Sequence, residues 1–125
     1  MSFEWIDIED ISTQLTFPGN DQFSSQTISL PFDFDFFTET YDYLNVNANG
    51  WVGWDSENET VWENGDIPSS SMPRPAIFGF FDDLNPNNDN GNSNASGDIY
   101  YHTNDVYIYN IWRGNPMLYW DGIVY

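Results

Sequence analysis

The chain has 125 residues and a formal net charge of -18, because 20 acidic residues face only two basic ones, Arg74 and Arg113. This charge excludes nucleic-acid binding and attraction to anionic membranes, since both need clustered Lys or Arg. The absence of Cys excludes a disulfide framework, a zinc-thiolate site and a thiol nucleophile. An aromatic content of 19% predicts a packed domain rather than a disordered acidic chain.

The elements predicted in chain order are short strands separated by turn residues. A first strand covers residues 3–8, and turn chemistry follows in 9–21, centred on 18–20. Residues 28–37 carry an apolar side chain at every even position, which predicts a strand with one buried face and with Asp33 and Asp35 on the solvated face. Pro31 cannot donate to a ladder, so we expect this strand at a sheet edge or with a bulge there.

The next strands are predicted in residues 44–48 and 51–54, joined by Asn49-Gly50, a strong hairpin-turn signal. Residues 56–75 contain Pro68, Pro73 and Pro75 and are expected to form an irregular connection. Another strand opens at Pro75, and the remaining ones lie at 99–102, 106–111, 117–120 and 123–125. Many short strands between turns predict a single all-β domain over residues 1–125, an antiparallel β-sandwich or jelly roll.

The N-terminal segment MSFEWIDIED lacks the basic region and apolar run of a signal peptide, and no apolar run in the chain reaches the length of a membrane span. The chain starts almost directly in a strand and stops at GIVY, so we expect a domain excised from a larger secreted or cell-surface protein, with no insertion into a membrane. Salt or bound divalent cations would relieve the self-repulsion of this acidic chain, which fits an extracellular medium.

The Asn-rich loop in residues 85–97 is the first candidate site. Its side-chain oxygens favour a calcium ion, which takes six to eight oxygen ligands. The alternative is ordinary turn chemistry, for which Asn, Asp, Ser and Gly are also the usual residues. The spacing is not that of an EF-hand, since taking Gly91 as the invariant glycine puts Pro86 at the first ligand position. The predicted metal ligands are Asp82, Asp83, Asn85, Asn87, Asp89 and Asp98.

The aromatic residues give a second candidate site. Trp51, Trp54 and Trp62 are predicted to form an exposed platform that stacks on sugar rings of a glycan or another cell-surface ligand. The alternative, which we favour for most of the aromatic residues, is that they fill the sandwich interior. A third hypothesis is self-association, in which an exposed strand edge pairs with another copy of the chain.

Catalysis is not predicted. His102 is the sole histidine, so any Ser-His-Asp triad must use it, and its place beside Tyr100 and Tyr101 in a strand favours a structural role. Asp82 and Asp83 are adjacent, and neighbouring strand residues point to opposite faces, so this pair alone does not make the geometry of a glycosidase.

Five segments in order, WIDI, SLPFDFDFF, YDYLNVNANGWVGW, IFGFFDDLNP and GDIYYHT, resemble a domain that recurs in large secreted and cell-surface bacterial proteins. Asn49-Gly50 and Asp82-Asp83-Leu84-Asn85 match its motifs, whereas Phe81 stands where Trp is frequent and residues 110–119 look shortened. The resemblance implies a non-catalytic β-sandwich accessory domain. We therefore predict a calcium-stabilised extracellular module serving adhesion or glycan binding; the alternative is a self-associating structural module or a filament or surface-layer subunit.

Overall fold

The computed structural model of the protein describes residues 8–17, 25–54, 61, 65–79, 81, 82, 84, 97–105, 108–113 and 122–123. These residues form a 3₁₀ turn and eight strands. The turn is Glu9–Ile11, and the strands are β1 (Thr13–Leu15), β2 (Ser25–Phe36), β3 (Glu39–Asn47), β4 (Trp51–Gly53), β5 (Ala76–Phe78), β6 (Asp98–Thr103), β7 (Ile108–Arg113) and β8 (Gly122–Ile123).

The strands form two antiparallel sheets of four, in the orders β1-β6-β7-β8 and β2-β3-β4-β5. The predicted all-β antiparallel sandwich is confirmed. A jelly roll is built from Greek keys, whereas the second sheet is a meander of consecutive strands. Short turns place β3 beside β2 and β4 beside β3, whereas the long connection over residues 54–75 brings β5 to β4.

The main core lies between the two sheets. Ile28, Leu44, Val46 and Val52 come from the second sheet, and Ile99 and Ile108 come from the first. All of these side chains are buried. Apolar residues at alternate positions of both sheets supply this layer, and the area they remove from water is the main term that stabilises the domain.

Both positions predicted for Pro31, a sheet edge and a bulge, are confirmed: β2 is an edge strand, and it carries a bulge. Phe34 is five positions after Ser29, while their β3 partners Tyr43 and Tyr41 are only two positions apart. Pro31 falls inside the irregular part, where its missing N–H costs no ladder bond. Strand addition at this edge is disfavoured, since Pro, a bulge and exposed acidic residues are the usual protections of an edge.

Several predicted boundaries need correction or stay untested. Strand β1 lies in a segment for which only turn chemistry was predicted, because its three residues are too few to show a period. The last strand was predicted at 123–125, after a turn at Asp121-Gly122. Gly122 instead belongs to β8. The predicted strands 3–8, apart from Ile8, and 117–120 lie outside the described residues.

Candidate functional site

Asparagines on β3 and in the turn after it form a buried polar row. Asn45, Asn47 and Asn49 alternate with the core residues Leu44, Val46 and Ala48, and all six are buried. Asn45 and Asn47 therefore lie on the face of the second sheet opposite the main core. Their amides bond across to β2: Asn45 Oδ1 accepts from Thr27 Oγ1 at 2.7 Å, and Asn47 Nδ2 donates to Ser25 Oγ at 3.0 Å.

The turn between β3 and β4 depends on Asn47 and Gly50. The side-chain oxygen of Asn47 accepts from the Asn49 N–H at 2.8 Å, and its carbonyl oxygen accepts from the Gly50 N–H at 3.3 Å. Gly50 has a φ of 78°, a conformation that glycine adopts at little cost. The predicted hairpin turn at Asn49-Gly50 is confirmed.

The same turn holds the segment from which the Asn-rich loop starts. The Asn49 carbonyl oxygen accepts from the Asp82 N–H at 3.3 Å, and Asn49 Oδ1 accepts from the Leu84 N–H at 3.0 Å. The Gly50 carbonyl oxygen also accepts from the Gly79 N–H at 3.2 Å. We call the contacts of Asn49 with Asp82 and Leu84 the Asn49 clasp. Two motifs that are distant in sequence thus meet through hydrogen bonds.

The structure describes two of the six predicted calcium ligands, Asp82 and Asp98, and both are exposed. Asp82 lies beyond the end of β5. Asp98 begins β6, and its Oδ1 accepts from Gln14 Nε2 at 2.8 Å. Asp83, Asn85, Asn87 and Asp89 lie outside the described residues. Within the described ranges no group of three or more His, Cys, Asp or Glu residues is arranged to hold a metal ion, and calcium at the loop stays a prediction.

The exposed tryptophan platform needs correction at two of its three positions. Trp51 is fully buried and Trp54 is 7% exposed, so neither ring presents a face to solvent. Both faces of the second sheet are covered at these points, which the alternating sequence does not reveal. Trp51 Nε1 has no hydrogen-bond partner among the described residues, whereas Trp54 Nε1 donates to the Tyr43 carbonyl oxygen. Trp62, the third member, lies outside the described residues.

Trp54 is the base of an aromatic cluster on the β2–β3 hairpin. Its ring stacks on Tyr41 with centroids 4.3 Å apart and on Phe34 at 5.6 Å, and it lies 5.0 Å from Phe36. Phe34 and Tyr41 are paired residues, so they share one face of the hairpin. Desolvation raises the pKa of the Tyr41 hydroxyl above its ordinary value, and the Glu39 carboxylate adds to the rise.

The hairpin has an opposite, acidic face. Asp35 is paired with Thr40, whose hydroxyl donates to Asp35 Oδ1 at 2.6 Å. Asp42 is two residues further along β3 and points to the same side. Asp33, Asp35 and Asp42 are exposed, as the solvated face predicted for β2 requires.

Phe37 lies at the tip of this hairpin, and no motif in the sequence marks it as a candidate site residue. Phe37 is 90% exposed and has a φ of 56°. The only sequence signal for its exposure was its position at the end of the alternating run in β2. Alternation places residue 37 on the same side as the polar residues, where an aromatic side chain is unexpected.

His102 has a contact that supports its structural reading. Its Nδ1 lies 3.2 Å from the Ile11 carbonyl oxygen, and this ties β6 to the 3₁₀ turn.

The comparisons with known proteins give one family. The model of the family described as NIDO related matches residues 2–104, well over half of the chain. The chain belongs to this family. A search of curated proteins and a search of solved structures found no match.

A NIDO-related domain is an extracellular-type module. The match covers the whole second sheet, the Asn49 clasp and the Asn-rich loop, and it ends just after β6. In the described part of this chain, no helical segment has the length and apolar character of a membrane span.

Proposed function

We propose that this NIDO-related domain is a non-catalytic extracellular accessory module, stabilised by calcium at its Asn-rich loop and serving adhesion or glycan binding. The observation that carries the calcium part is the Asn49 clasp. The backbone and side-chain oxygens of the buried Asn49 hold the backbone at Asp82 and Leu84, where the Asn-rich segment of the sequence begins. A loop whose start is held by the sheet loses less entropy when its oxygens gather around an ion.

The two ends of the loop belong to different sheets. Asp82 follows β5 of the second sheet, whereas Asp98 begins β6 of the first sheet and accepts a hydrogen bond from Gln14. An ion bound between Asp82 and Asp98 would join the two sheets. It would stabilise the folded state and not the unfolded chain. With a charge of -18 on the chain, it would also relieve carboxylate repulsion.

The test is thermal unfolding in chelator and across a calcium series, with magnesium as the ionic control. A site specific to the native state adds about 2.7 kcal/mol at a hundred times its dissociation constant. The double variant Asp82→Asn/Asp83→Asn should lose this stabilisation. Asp66→Asn/Asp105→Asn makes the same charge change at exposed positions outside the loop and should keep it. Equal stabilisation by magnesium, or equal loss in both variants, would reduce the effect to general screening.

The binding part of the proposal is tested on a glycan array. Trp62 is the member of the predicted platform whose burial is not described, so Trp62→Ala should abolish glycan binding if that ring stacks on sugar. Trp54→Phe serves as the control for a buried ring. If the array shows no binding, we expect the adhesion partner to be a molecule other than a glycan.

A further inference from the structure

The tip of the β2–β3 hairpin carries an aromatic side chain where turn chemistry disfavours one. Phe36 pairs with Glu39, which leaves Phe37 and Thr38 as a two-residue turn. Phe37 occupies its first central position with a φ of 56°. Glycine is the usual residue at a first central position with positive φ, and a bulky L residue there is strained. Backbone outliers of this kind cluster at functional sites.

Phe37 also has the highest exposure among the large hydrophobic residues that the structure describes. It is 90% exposed, compared with 58% for Ile11 and 61% for Ile67. Its ring is nevertheless held from one side, since it meets the Phe36 ring edge to face with centroids 4.7 Å apart. Phe36 in turn packs on the buried Trp54. The exposed ring is therefore mounted on a packed aromatic cluster and not on a free chain.

The charges of the hairpin itself all have one sign. Asp33, Asp35, Glu39 and Asp42 are exposed on the two strands that lead to the tip. Residues 25–54, which contain the whole hairpin, include no Lys, Arg or His. A hairpin that carries an exposed apolar ring and exposed carboxylates repels an anionic surface and a second copy of this acidic chain, and it complements a positively charged group.

We propose that the hairpin tip is the docking surface for a cationic partner. It is formed by Phe37, by Glu39 on the face of the aromatic cluster, and by Asp35 and Asp42 on the acidic face. The partner is an Arg- or Lys-bearing segment of another protein. One guanidinium or ammonium group stacks over the Phe37 ring, as cations do at aromatic faces, and other cationic groups of the segment pair with the carboxylates on the two faces. This inference rests on the proposed adhesion role and names the class of partner that the role requires.

The test uses the full chain and fluorescence anisotropy with a synthetic peptide of alternating Arg and Gly. The matched peptide has citrulline at each Arg, which keeps the shape and removes the charge. Phe37→Ala should weaken binding about tenfold, and Phe37→Tyr should restore it because the ring face returns. Ile67→Ala, which removes another exposed apolar side chain, should leave the affinity unchanged.

A second pair of variants separates a local site from diffuse attraction to an acidic protein. Glu39→Gln/Asp42→Asn and Asp66→Asn/Asp105→Asn remove the same charge, the first pair at the hairpin and the second away from it. Binding should weaken about tenfold in the hairpin variant and less than twofold in the other. Equal weakening would overturn the proposal, because the peptide would then bind the net charge of the chain.

Other outcomes assign the tip to a different partner. Equal binding of the citrulline peptide, or an affinity that Phe37→Ala leaves unchanged, would overturn the cationic site. Phe37-dependent binding to phosphatidylcholine vesicles in place of the Arg peptide would make the tip a membrane contact. These results are independent of calcium-dependent unfolding and of the glycan array, so failure of this inference is distinguishable from failure of the proposed function.

Discussion

The buried asparagine row gives the sharpest test of how the fold holds the candidate site. In Asn47→Ala the folded protein loses the bond from Asn47 Nδ2 to Ser25, and the buried N–H of Asn49 loses the Asn47 Oδ1 acceptor. Removing an acceptor from a buried donor costs about 1–3 kcal/mol, and a lost hydrogen bond about 1 kcal/mol more. We expect the free energy of unfolding to fall by about 3 kcal/mol.

Asn45→Ala is the matched control, because it changes the same residue type on the same face of the same strand. Asn45 Oδ1 accepts from the hydroxyl of Thr27, which is exposed. Water replaces the lost partner there, so the free energy of unfolding should fall by only about 0.5 kcal/mol.

Urea unfolding followed by fluorescence measures both variants, since Trp51 and Trp54 are buried and their emission reports the loss of structure. The dependence on denaturant should keep its slope while the midpoint shifts. Equal destabilisation by the two substitutions would refute the reasoning, because only Asn47→Ala leaves a buried N–H without its acceptor and also removes a second hydrogen bond. If calcium binds the loop, Asn47→Ala should also reduce its stabilising effect, since Asn47 positions the Asn49 clasp.

Two further predictions concern backbone geometry. A Cβ at Gly53 would lie 2.6 Å from the Pro75 carbonyl oxygen, so Gly53→Ala should destabilise the domain by about 2 kcal/mol in the same assay. Gly65→Ala is its control and should be nearly neutral, since the new Cβ meets only the flexible end of Met72 at 3.3 Å. Phe37→Gly should raise the free energy of unfolding by about 1 kcal/mol by relieving the positive φ, while Phe37→Ala should not. A lower melting temperature for Phe37→Gly than for Phe37→Ala would contradict this explanation.

Local patterns were sufficient to predict the fold class and several details of it. The alternation in β2, the turn at Gly50 and the irregularity at Pro31 each follow from the backbone preferences of a few neighbouring residues. Such preferences act over one or two residues, so they are present in the sequence itself.

The size of the β2 bulge was not predictable in the same way. Between Ser29 and Phe34 the register of β2 against β3 shifts by an odd number of residues. This shift can be seen only when the two strands are aligned. Before the shift, even-numbered residues of β2 pair with even-numbered residues of β3, as Ile28 does with Leu44. Because side chains alternate with a period of two, an odd shift reverses this, so that Phe34 pairs with the odd-numbered Tyr41. This pairing brings Phe34 and Tyr41 together on the buried ring of Trp54.

For the candidate sites, too, some features follow from local sequence and others only from the tertiary structure. The sequence by itself determined a sandwich of short strands, a strongly acidic net charge, and a loop rich in side-chain oxygens. Only the tertiary structure decided that Asn47 and Trp51 are buried, that Asn49 holds Asp82, and that Phe37 is exposed. The physical reason is that burial depends on which distant segment covers a face of the sheet, and alternation along one strand carries no information about that cover.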